Sequence, residues 1–277
     1  MKFKVADTFN EQSIRDIFKT LQLPKKELHT LNMSKSITVN NEAANLQTIV
    51  HTGDEIYIPD EDAKSQYLPS YRYAQIAYED DFLAIVYKPK GVKTHPNDLK
   101  ESNTLMNHVI YTLNHPYVEP IHRLDQETVG LLIVAKHPII KKILDRMLEN
   151  NDIHRIYKAQ VKSLLPIKPQ TIDLPIGKDK FHPNKRRVSP TGQRAVTHIL
   201  SSEMIEEGVC EVMLKLDTGR THQIRVHLAE IGYPVLGDPL YSDSKLRQLQ
   251  LESYQIEMTH PITQQPISVT IDDINHN

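Results

Sequence analysis

Apolar and polar residues alternate along the chain in patterns that predict short strands and a few amphipathic helices. Ser13 is a typical N-cap residue, and the apolar residues that follow it up to Leu21 recur at helical spacing. Residues 36–42 predict a strand that runs into an Asn-Asn turn, and residues 51–58 predict a turn and another strand. These elements predict a small α+β module over residues 1–60.

A polar stretch separates this module from the rest of the chain. Residues 59–74 contain two prolines and show no clear periodicity, which is typical of a linker. We therefore predict three parts: a module over residues 1–60, a linker over 61–74 and a larger domain over 75–277. With 277 residues, 39% of them hydrophobic, the chain is long enough to bury a sizeable core.

The larger domain shows a long series of predicted strands. Residues 82–87 form an apolar, β-rich run, and residues 131–135 are apolar throughout, as in a strand buried on both faces. The other predicted elements are helices over residues 104–113, from Pro138 to about Asn150 and from a cap at Thr221 to Ile231, and strands at about 154–161, 194–200 and 209–217. Many strands with few helices predict an α+β fold with one mixed or antiparallel central sheet and flanking helices.

Charge is distributed unevenly along the chain, although the net charge is only -2. Residues 136–194 hold 14 Lys and Arg against 5 Asp and Glu, a net charge of +9, whereas residues 195–277 carry a net charge of -7. The basic stretch fits two interpretations, ordinary solvated faces or a localised surface that binds phosphate.

The composition argues against several classes of protein. No run of about 18 apolar residues occurs, and the start lacks the apolar stretch of a signal peptide, so we expect no membrane association. The nine glycines form neither of the phosphate-cradling motifs GxGxxG and GxxxxGK[ST]. The single cysteine, Cys210, cannot form an internal disulfide, which predicts a cytoplasmic protein.

Charged side chains lie directly before the most apolar predicted strand. Arg123 and Asp125 are two positions apart there, and burial of either charge is costly unless it is paired. One interpretation is an ion pair that closes the end of the strand. The other is a catalytic Asp125 held by an arginine, because a guanidinium keeps a carboxylate ionised and able to act as a nucleophile or base.

A second polar group spans residues 217–227, between the end of a predicted strand and the start of a helix. Arg220 lies in the turn and Arg225 in the first helical turn, where free N–H groups and the helix dipole favour anions. The pattern fits phosphate or carboxylate binding, or a helix start with solvated arginines. His222 and His227 lack the spacing of a zinc-binding pair, and no Cys or acidic partner completes a set, so no metal site is predicted.

Two further features lie in the basic stretch. Tyr157 is on a predicted strand, where a tyrosine either packs in the core or stacks on a base. Residues 178–187 form a basic loop with one aromatic residue, and its density of charge favours contact with phosphate. The candidate phosphate-binding residues of this loop are Lys180, Lys185, Arg186 and Arg187.

At these residues the sequence resembles the RluA-type family of RNA pseudouridine synthases, which modify ribosomal and transfer RNA. Residues 122–132 resemble the family signature HRLDxxTSGLLL, with Val129 where the family usually has serine. Similar blocks occur in the family order at residues 78–82, 88–92, 95–96, 218–227 and 237–241. The N-terminal 60 residues resemble a degenerate S4 RNA-binding module, with a thin basic helix face.

The resemblance implies a pseudouridine synthase fold, with a mixed, mostly antiparallel sheet, and the conversion of specific uridines in structured RNA to pseudouridine. Asp125 would be the catalytic carboxylate, either attacking C1′ or removing a sugar proton. Arg225 would pair with it, and Tyr157 would stack on the base or assist proton transfer. RNA would bind at Arg123, Lys180, Lys185, Arg186, Arg187, Arg220 and His222. The resemblance implies no cofactor and no metal, and we expect a monomer.

Three other functions compete with this one. A non-catalytic RNA-binding protein would keep the basic surface but would not need Asp125. A protein kinase is suggested by His-Arg-Leu-Asp, but a glycine-rich loop and a DFG motif are missing. A hydrolase that uses Asp125 is conceivable, although no second carboxylate or base is fixed by spacing.

Overall fold

The computed structural model describes residues 1–59 and 63–274 of the chain. The N-terminal part contains six short strands and two helices: β1 Lys2–Lys4, β2 Gln12–Ser13, α1 Ile14–Thr20, α2 Lys25–Ser34, β3 Thr38–Val39, β4 Glu42–Ala43, β5 Ile49–Val50 and β6 Glu55–Tyr57. Four of the strands form a sheet in the order β1-β6-β3-β4, and β2 pairs with β5.

Local sequence explains most of this module. The Ser13 side chain caps α1 by accepting a hydrogen bond from the backbone N–H of Asp16. Asn40 and Asn41 have φ angles of 52° and 68° and form the predicted turn between β3 and β4. Helix α2 was not predicted, because it buries none of its residues and therefore shows no apolar stripe in the sequence.

The remaining elements build a ten-stranded sheet with flanking helices, and β13 pairs with β14 as a separate hairpin. They are β7 Gln75–Glu79, β8 Leu83–Lys88, α3 Leu105–Leu113, β9 Glu119–Pro120, β10 Val129–Ala135, α4 Pro138–Glu149, β11 Ile153–Lys162, β12 Gln170–Asp173, β13 Ile176–Lys178, β14 Arg186–Val188, β15 Val196–Glu206, β16 Val209–Leu216, α5 Gln223–Glu230, β17 Leu251–Thr259 and β18 Pro266–Thr270.

The large sheet confirms the predicted α+β fold with a mixed, mostly antiparallel sheet. Its strand order is β12-β15-β16-β11-β17-β10-β8-β7, with β18 beside β17 and β9 beside β10. Strands β10 and β17 run parallel, and the other strand pairs found within the described residues are antiparallel. The sequence did not predict β17, which alternates apolar and polar residues at the centre of the sheet.

Both faces of the sheet are buried, which explains the continuous apolar runs of β8 and β10. Leu131 and Ile133 belong to one buried cluster, together with the apolar face of α4 and the core of the N-terminal module. Leu132 and Val134 belong to the cluster on the opposite face, together with residues of α3 and α5. Successive residues of a strand point to opposite faces, so an interior strand covered on both sides must be apolar at every position.

The N-terminal module packs against α4. Ile17 and Phe18 of α1 share a buried cluster with Ile140 and Ile143 of α4. At the end of α4, the side chain of Asn150 donates a hydrogen bond to that of Gln22. The module therefore lies on the α4 side of the sheet.

The predicted linker over residues 61–74 is described from residue 63 onward, and residues 61 and 62 lie outside the described part. The described portion forms no helix or strand and runs along α3 and β9. The Ser65 hydroxyl donates to the carbonyl of Val118 at 2.6 Å, and the Asn107 side chain donates to the carbonyl of Leu68 at 2.7 Å. Hydrogen bonds with the larger domain therefore hold this segment in place.

Helix α5 corrects one local prediction. Thr221 is not its N-cap: the cap position is His222, whose left-handed φ of 60° reverses the chain before Gln223. The Gln223 side chain accepts a hydrogen bond from the backbone N–H of Arg220 at 3.0 Å instead. None of the helices in residues 1–59 and 63–274 has the length and apolar character needed to cross a membrane.

Candidate active site

An open cleft of about 890 Å³ lies on the sheet face that carries α3 and α5. Six of the residues that line it come from three separated parts of the chain: Arg123, Asp125, Tyr157, Arg220, His222 and Arg225. These are the three predicted catalytic residues and three of the seven predicted RNA-binding residues. The fold thus brings together groups that are distant in the sequence, such as Asp125 and Arg225, which are 100 positions apart.

The loop between β9 and β10 carries Asp125 and is fixed on both sides of that residue. The Thr94 hydroxyl donates to the carbonyl of Leu124 at 2.9 Å and accepts from the N–H of Leu124 at 3.1 Å. On the other side, Lys88 Nζ donates to the carbonyl of Gln126 at 2.9 Å and to that of Val92 at 2.7 Å. These bonds hold the backbone of Asp125 in a single position.

Lys88 is fully buried at the end of β8. Burial lowers the pKa of Lys88 to about 8, although the negative charges of Asp125 and Glu127 act in the opposite direction. Three carbonyl oxygens accept hydrogen bonds from its ammonium group. Lys88 lies in the motif block of residues 88–92, but the sequence gave it no role, because the bond that joins it to the Asp125 loop goes to the carbonyl of Gln126, 38 positions away.

The loop ends at Gly130, where β10 approaches β17 closely. Gly130 has a φ of 112°, and a Cβ atom at this position would lie 2.3 Å from the carbonyl oxygen of Ser253. Only glycine fits here without displacing the backbone of β17. The preceding residue, Val129, is half-buried and opens β10.

An ion-paired centre forms around Asp125. Arg225 Nη1 lies 3.0 Å from Asp125 Oδ2, and its Nε and Nη2 bind the two carboxylate oxygens of Asp238 at 2.7 and 2.8 Å. Asp238 is fully buried, and 25% of the Asp125 side chain is exposed to the cleft. Asp238 therefore orients the guanidinium through a bidentate pair, and the remaining nitrogen faces Asp125.

The charge state of Arg225 follows from this arrangement. Burial alone would lower its pKa, but the hydrogen bonds and charges of Asp238 and Asp125 raise the pKa above the ordinary arginine value. The guanidinium thus stays charged next to Asp125. An ion pair that closes the strand and a catalytic Asp125 both require a cation next to the carboxylate. That cation is Arg225. Arg123, two positions before Asp125 in the sequence, is exposed.

Tyr157 lies on β11, and only 4% of its surface is exposed. Burial raises the pKa of the Tyr157 hydroxyl, while the nearby Arg155 charge acts against this increase. A β-bulge between Ile156 and Tyr157 shifts the register toward β17 at this point. The tyrosine both lines the cleft and packs in the core, so its two predicted roles are compatible.

His222 stands between Asp125 and Tyr241. Its Nε2 lies 3.7 Å from Asp125 Oδ2, and its Nδ1 lies 2.9 Å from the Tyr241 hydroxyl. Burial lowers the pKa of His222, and the charges of Asp125 and Arg225 act on it in opposite directions. His222 is therefore part of the wall of the cleft, next to the ion-paired centre.

The four basic loop residues lie outside the cleft lining. Lys180, Lys185, Arg186 and Arg187 belong to the hairpin of β13 and β14, which we call the basic hairpin, residues 176–188. The backbone N–H of Arg186 donates to the Tyr241 hydroxyl at 2.7 Å, so the hairpin adjoins the cleft through Tyr241. Arg220 lies at the cleft rim, where its Nε donates to the carbonyl of Arg194.

Asp238 and Tyr241 were also missed as site residues. Both lie in residues 237–241, which the sequence identified only as a motif block, so the motif gave a signal but no role. Their contacts join that block to α5 and to the basic hairpin. Such contacts depend on the tertiary fold and leave no spacing pattern in the sequence.

Comparison with known proteins gives matches along most of the chain. Residues 82–230 match the family described as RNA pseudouridylate synthase, and residues 1–56 match the RluD ribosomal pseudouridine synthase N-terminal domain. The Bacillus subtilis (strain 168) protein named "Uncharacterized RNA pseudouridine synthase YhcT" is 40% identical over 265 residues, which cover 92% of this chain and 88% of that protein.

Two further matches carry related names. Ribosomal large subunit pseudouridine synthase D of Pseudomonas aeruginosa is 35% identical over 210 residues, which cover 74% of this chain and 65% of that protein. The solved structure of Human RNA Pseudouridylate Synthase Domain Containing 1 superposes with a TM-score of 0.59 at 24% identity, covering 73% of this chain and 84% of that one. At this identity the structural match shows a shared fold.

Proposed function

The chain belongs to the RluA-type family of RNA pseudouridine synthases, and on this premise we propose that it isomerises specific uridines in structured RNA with Asp125 as the catalytic carboxylate. The observation that carries the proposal is the Arg225 guanidinium, 3.0 Å from Asp125 and fixed by the buried Asp238. A held cation of this kind keeps a carboxylate ionised in a partly desolvated cleft.

The reaction requires one glycosidic bond to break and another to form. The bond between N1 and C1′ breaks, the uracil turns, and C5 bonds to C1′, after which C5 loses its proton and N1 gains one. An ionised Asp125 serves this sequence either by attacking C1′ or by removing a proton from the sugar. The two routes remain alternatives.

The other cleft residues hold the nucleotide. A base inside a helix is out of reach of the carboxylate, so the target uridine is flipped out or already unpaired. Tyr157 stacks on the base or assists proton transfer, Arg123 fills the vacated space in the RNA, and the apolar Ile224 helps to retain the detached uracil. The isomerisation needs no cofactor or metal.

RNA recognition is assigned to the positive groups around the cleft. We propose that Arg220 and His222 act at the cleft and that the basic hairpin contacts phosphates beyond the target nucleotide through Lys180, Lys185, Arg186 and Arg187. The substrate is ribosomal or transfer RNA, and the names of the relatives favour the ribosomal large subunit.

The three-part organisation, with residues 1–60 as an S4-like module, 61–74 as a linker and 75–277 as the catalytic domain, is also proposed. A monomeric state and a cytoplasmic location remain predictions.

A map of pseudouridines in total RNA tests this function. The gene is deleted, and the strain is complemented with the wild-type protein or with Asp125→Asn. We expect at least one pseudouridine to disappear on deletion, to return with the wild type and to stay absent with Asp125→Asn. Return of the modification with the variant would contradict the role of Asp125.

A further inference from the structure

Three buried nitrogen atoms of residues that line the cleft lack a hydrogen-bond partner within the described residues. One is Nδ1 of His95, a residue that is only half-buried, and the two in buried residues are Nε of Arg155 and Nδ1 of His122. Only 3% of Arg155 and 7% of His122 is exposed, and both residues line the cleft. Buried polar atoms are almost always hydrogen-bonded, so these orphaned atoms in one cleft call for an explanation.

The orphaned atoms of Arg155 and His122 are both hydrogen-bond donors. Arg155 Nε always carries a hydrogen. The Nε2 atom of His122 accepts a hydrogen bond from the backbone N–H of Ile133 at 3.4 Å, which leaves the ring proton on Nδ1. A ligand that satisfies both atoms must therefore offer acceptors.

The positive charge of Arg155 makes the requirement stronger. Among the described residues, no carboxylate forms an ion pair with this guanidinium, in contrast to Arg225, which binds two. Arg155 lies instead close to Tyr157, and its charge acts to lower the pKa of that hydroxyl. A buried cation without a counterion costs free energy in the unliganded protein, so an anionic ligand would compensate it.

The turn at Gly219 closes over the guanidinium, because a Cβ atom there would lie 3.4 Å from Arg155 Nη1. Tyr157, the proposed base-stacking residue, follows Arg155 by two positions on β11, and both residues line the cleft. The donors thus lie next to the expected position of the base.

We propose that Arg155 and His122 form an oxyanion subsite that binds an acceptor-rich anionic group of the target nucleotide. This proposal rests on the proposed function. Two groups share that chemistry: the phosphate of the target nucleotide and the O2 and O4 atoms of the uracil. The uracil takes up the electron pair of the N1–C1′ bond when that bond breaks, and its negative charge is then shared by those oxygens.

The central variant is Arg155→Met, because a methionine side chain extends nearly as far as that of arginine but carries no charge. The matched control is Arg146→Met, at an exposed position of α4. We expect Arg155→Met to lower the single-turnover rate of pseudouridine formation by about a hundredfold or more. We also expect its melting temperature to equal or exceed that of the wild type, because the buried unpaired charge is gone. If Arg155 served only to stabilise the fold, its replacement would lower the melting temperature.

Binding measurements distinguish the two possible groups. RNA from the deletion strain is titrated with Asp125→Asn and with Asp125→Asn/Arg155→Met, neither of which performs the chemistry. A weaker affinity of the double variant assigns the subsite to a phosphate, and an equal affinity with a lowered rate in the Arg155→Met single variant assigns it to the departing uracil. A lower melting temperature together with the rate loss, or an unchanged rate and affinity, would overturn the proposal.

A third measurement does not depend on activity. Inorganic phosphate and free uracil are added separately to wild type and Arg155→Met, and the melting temperature is followed. We expect one of the two probes to raise the melting temperature of the wild type alone. Equal shifts in both proteins, or none, would count against the subsite even if the enzyme forms pseudouridine. Absence of pseudouridine formation by the wild type would instead refute the proposed function.

Discussion

The ion-paired centre and the basic hairpin both carry arginines, but they differ in burial and in partners. Arg225 is 4% exposed and binds two carboxylates at fixed distances. On the hairpin, Lys180 and Arg187 are exposed. A carboxylate that reacts needs a partner held in one geometry, whereas long-range attraction of RNA needs only accessible positive charge. The two proposed roles therefore match the two environments: accessible charge for RNA binding and a buried, fixed ion pair for chemistry.

Removal of the buried anchor should have the largest effect. Asp238→Ala leaves the Arg225 guanidinium buried next to a single, partly exposed carboxylate. We expect a loss of about 3–5 kcal/mol in the free energy of unfolding, the typical cost of breaking a buried ion pair. Urea denaturation measures this loss of unfolding free energy, and the control is Asp243→Ala, which removes an exposed carboxylate. A loss below about 1 kcal/mol would show that the pair is not the anchor.

A conservative change at the arginine itself should separate charge from geometry. Arg225→Lys keeps a positive charge but cannot bind Asp238 with two nitrogens and Asp125 with a third. We expect the single-turnover rate to fall by about a hundredfold while RNA affinity stays within about twofold. The control is Arg146→Lys, on the surface of α4. Equal rates of the two variants would mean that a positive charge next to Asp125 is sufficient for the reaction without the guanidinium geometry.

Charge reversal on the hairpin should change affinity and leave the chemistry intact. With Lys185, Arg186 and Arg187 replaced by Glu, we expect weaker RNA binding and a log–log salt dependence that is less steep by about 2, from the loss of about three phosphate contacts. The control reverses Lys142, Lys162 and Lys168, which are exposed in the same basic stretch. Identical salt slopes for both triple variants would refute a specific role of the hairpin.

The smallest effect concerns pH. Burial and the charge of Arg155 lower the pKa of His122 to about 3, whereas a histidine of an unfolded chain titrates near pH ~6.5. Between these values only the unfolded chain binds the proton, so stability falls as pH decreases from ~6.5 toward ~3.

His122→Gln keeps an acceptor for Ile133 and removes the titration. We expect its unfolding free energy to fall less steeply with decreasing pH than that of the wild type, by up to about 1.4 kcal/mol per pH unit. Denaturation at pH 7, 6 and 5 measures the difference. Parallel curves would show that His122 is protonated equally in the folded and unfolded states.

The sequence predicted elements whose signals are local. Thr104 and Pro138 mark the starts of α3 and α4 as expected, because caps and apolar periodicity act within a few residues. It did not predict β17, whose position at the centre of the sheet depends on pairing with β10 and β11, distant in the chain.

The site shows the same difference between local sequence signals and contacts of residues distant in the chain. Motifs identified Asp125, Tyr157 and Arg225, and the structure brings these residues to one cleft. The motif blocks contained the supporting residues without giving them a role, because Lys88 acts through backbone carbonyls and Asp238 through a contact 13 positions from Arg225. The sequence thus located the proposed catalytic side chains, while the roles of the groups that orient them required the fold.

The most direct measurement of the central claim is single-turnover pseudouridine formation by purified Asp125→Asn on RNA from the deletion strain. The matched control is Glu127→Gln, a carboxylate two positions away that does not line the cleft. We predict no detectable product with Asp125→Asn, at unchanged melting temperature and RNA affinity, and a wild-type rate with Glu127→Gln. Product formation by Asp125→Asn at a rate comparable with the wild type would contradict the account.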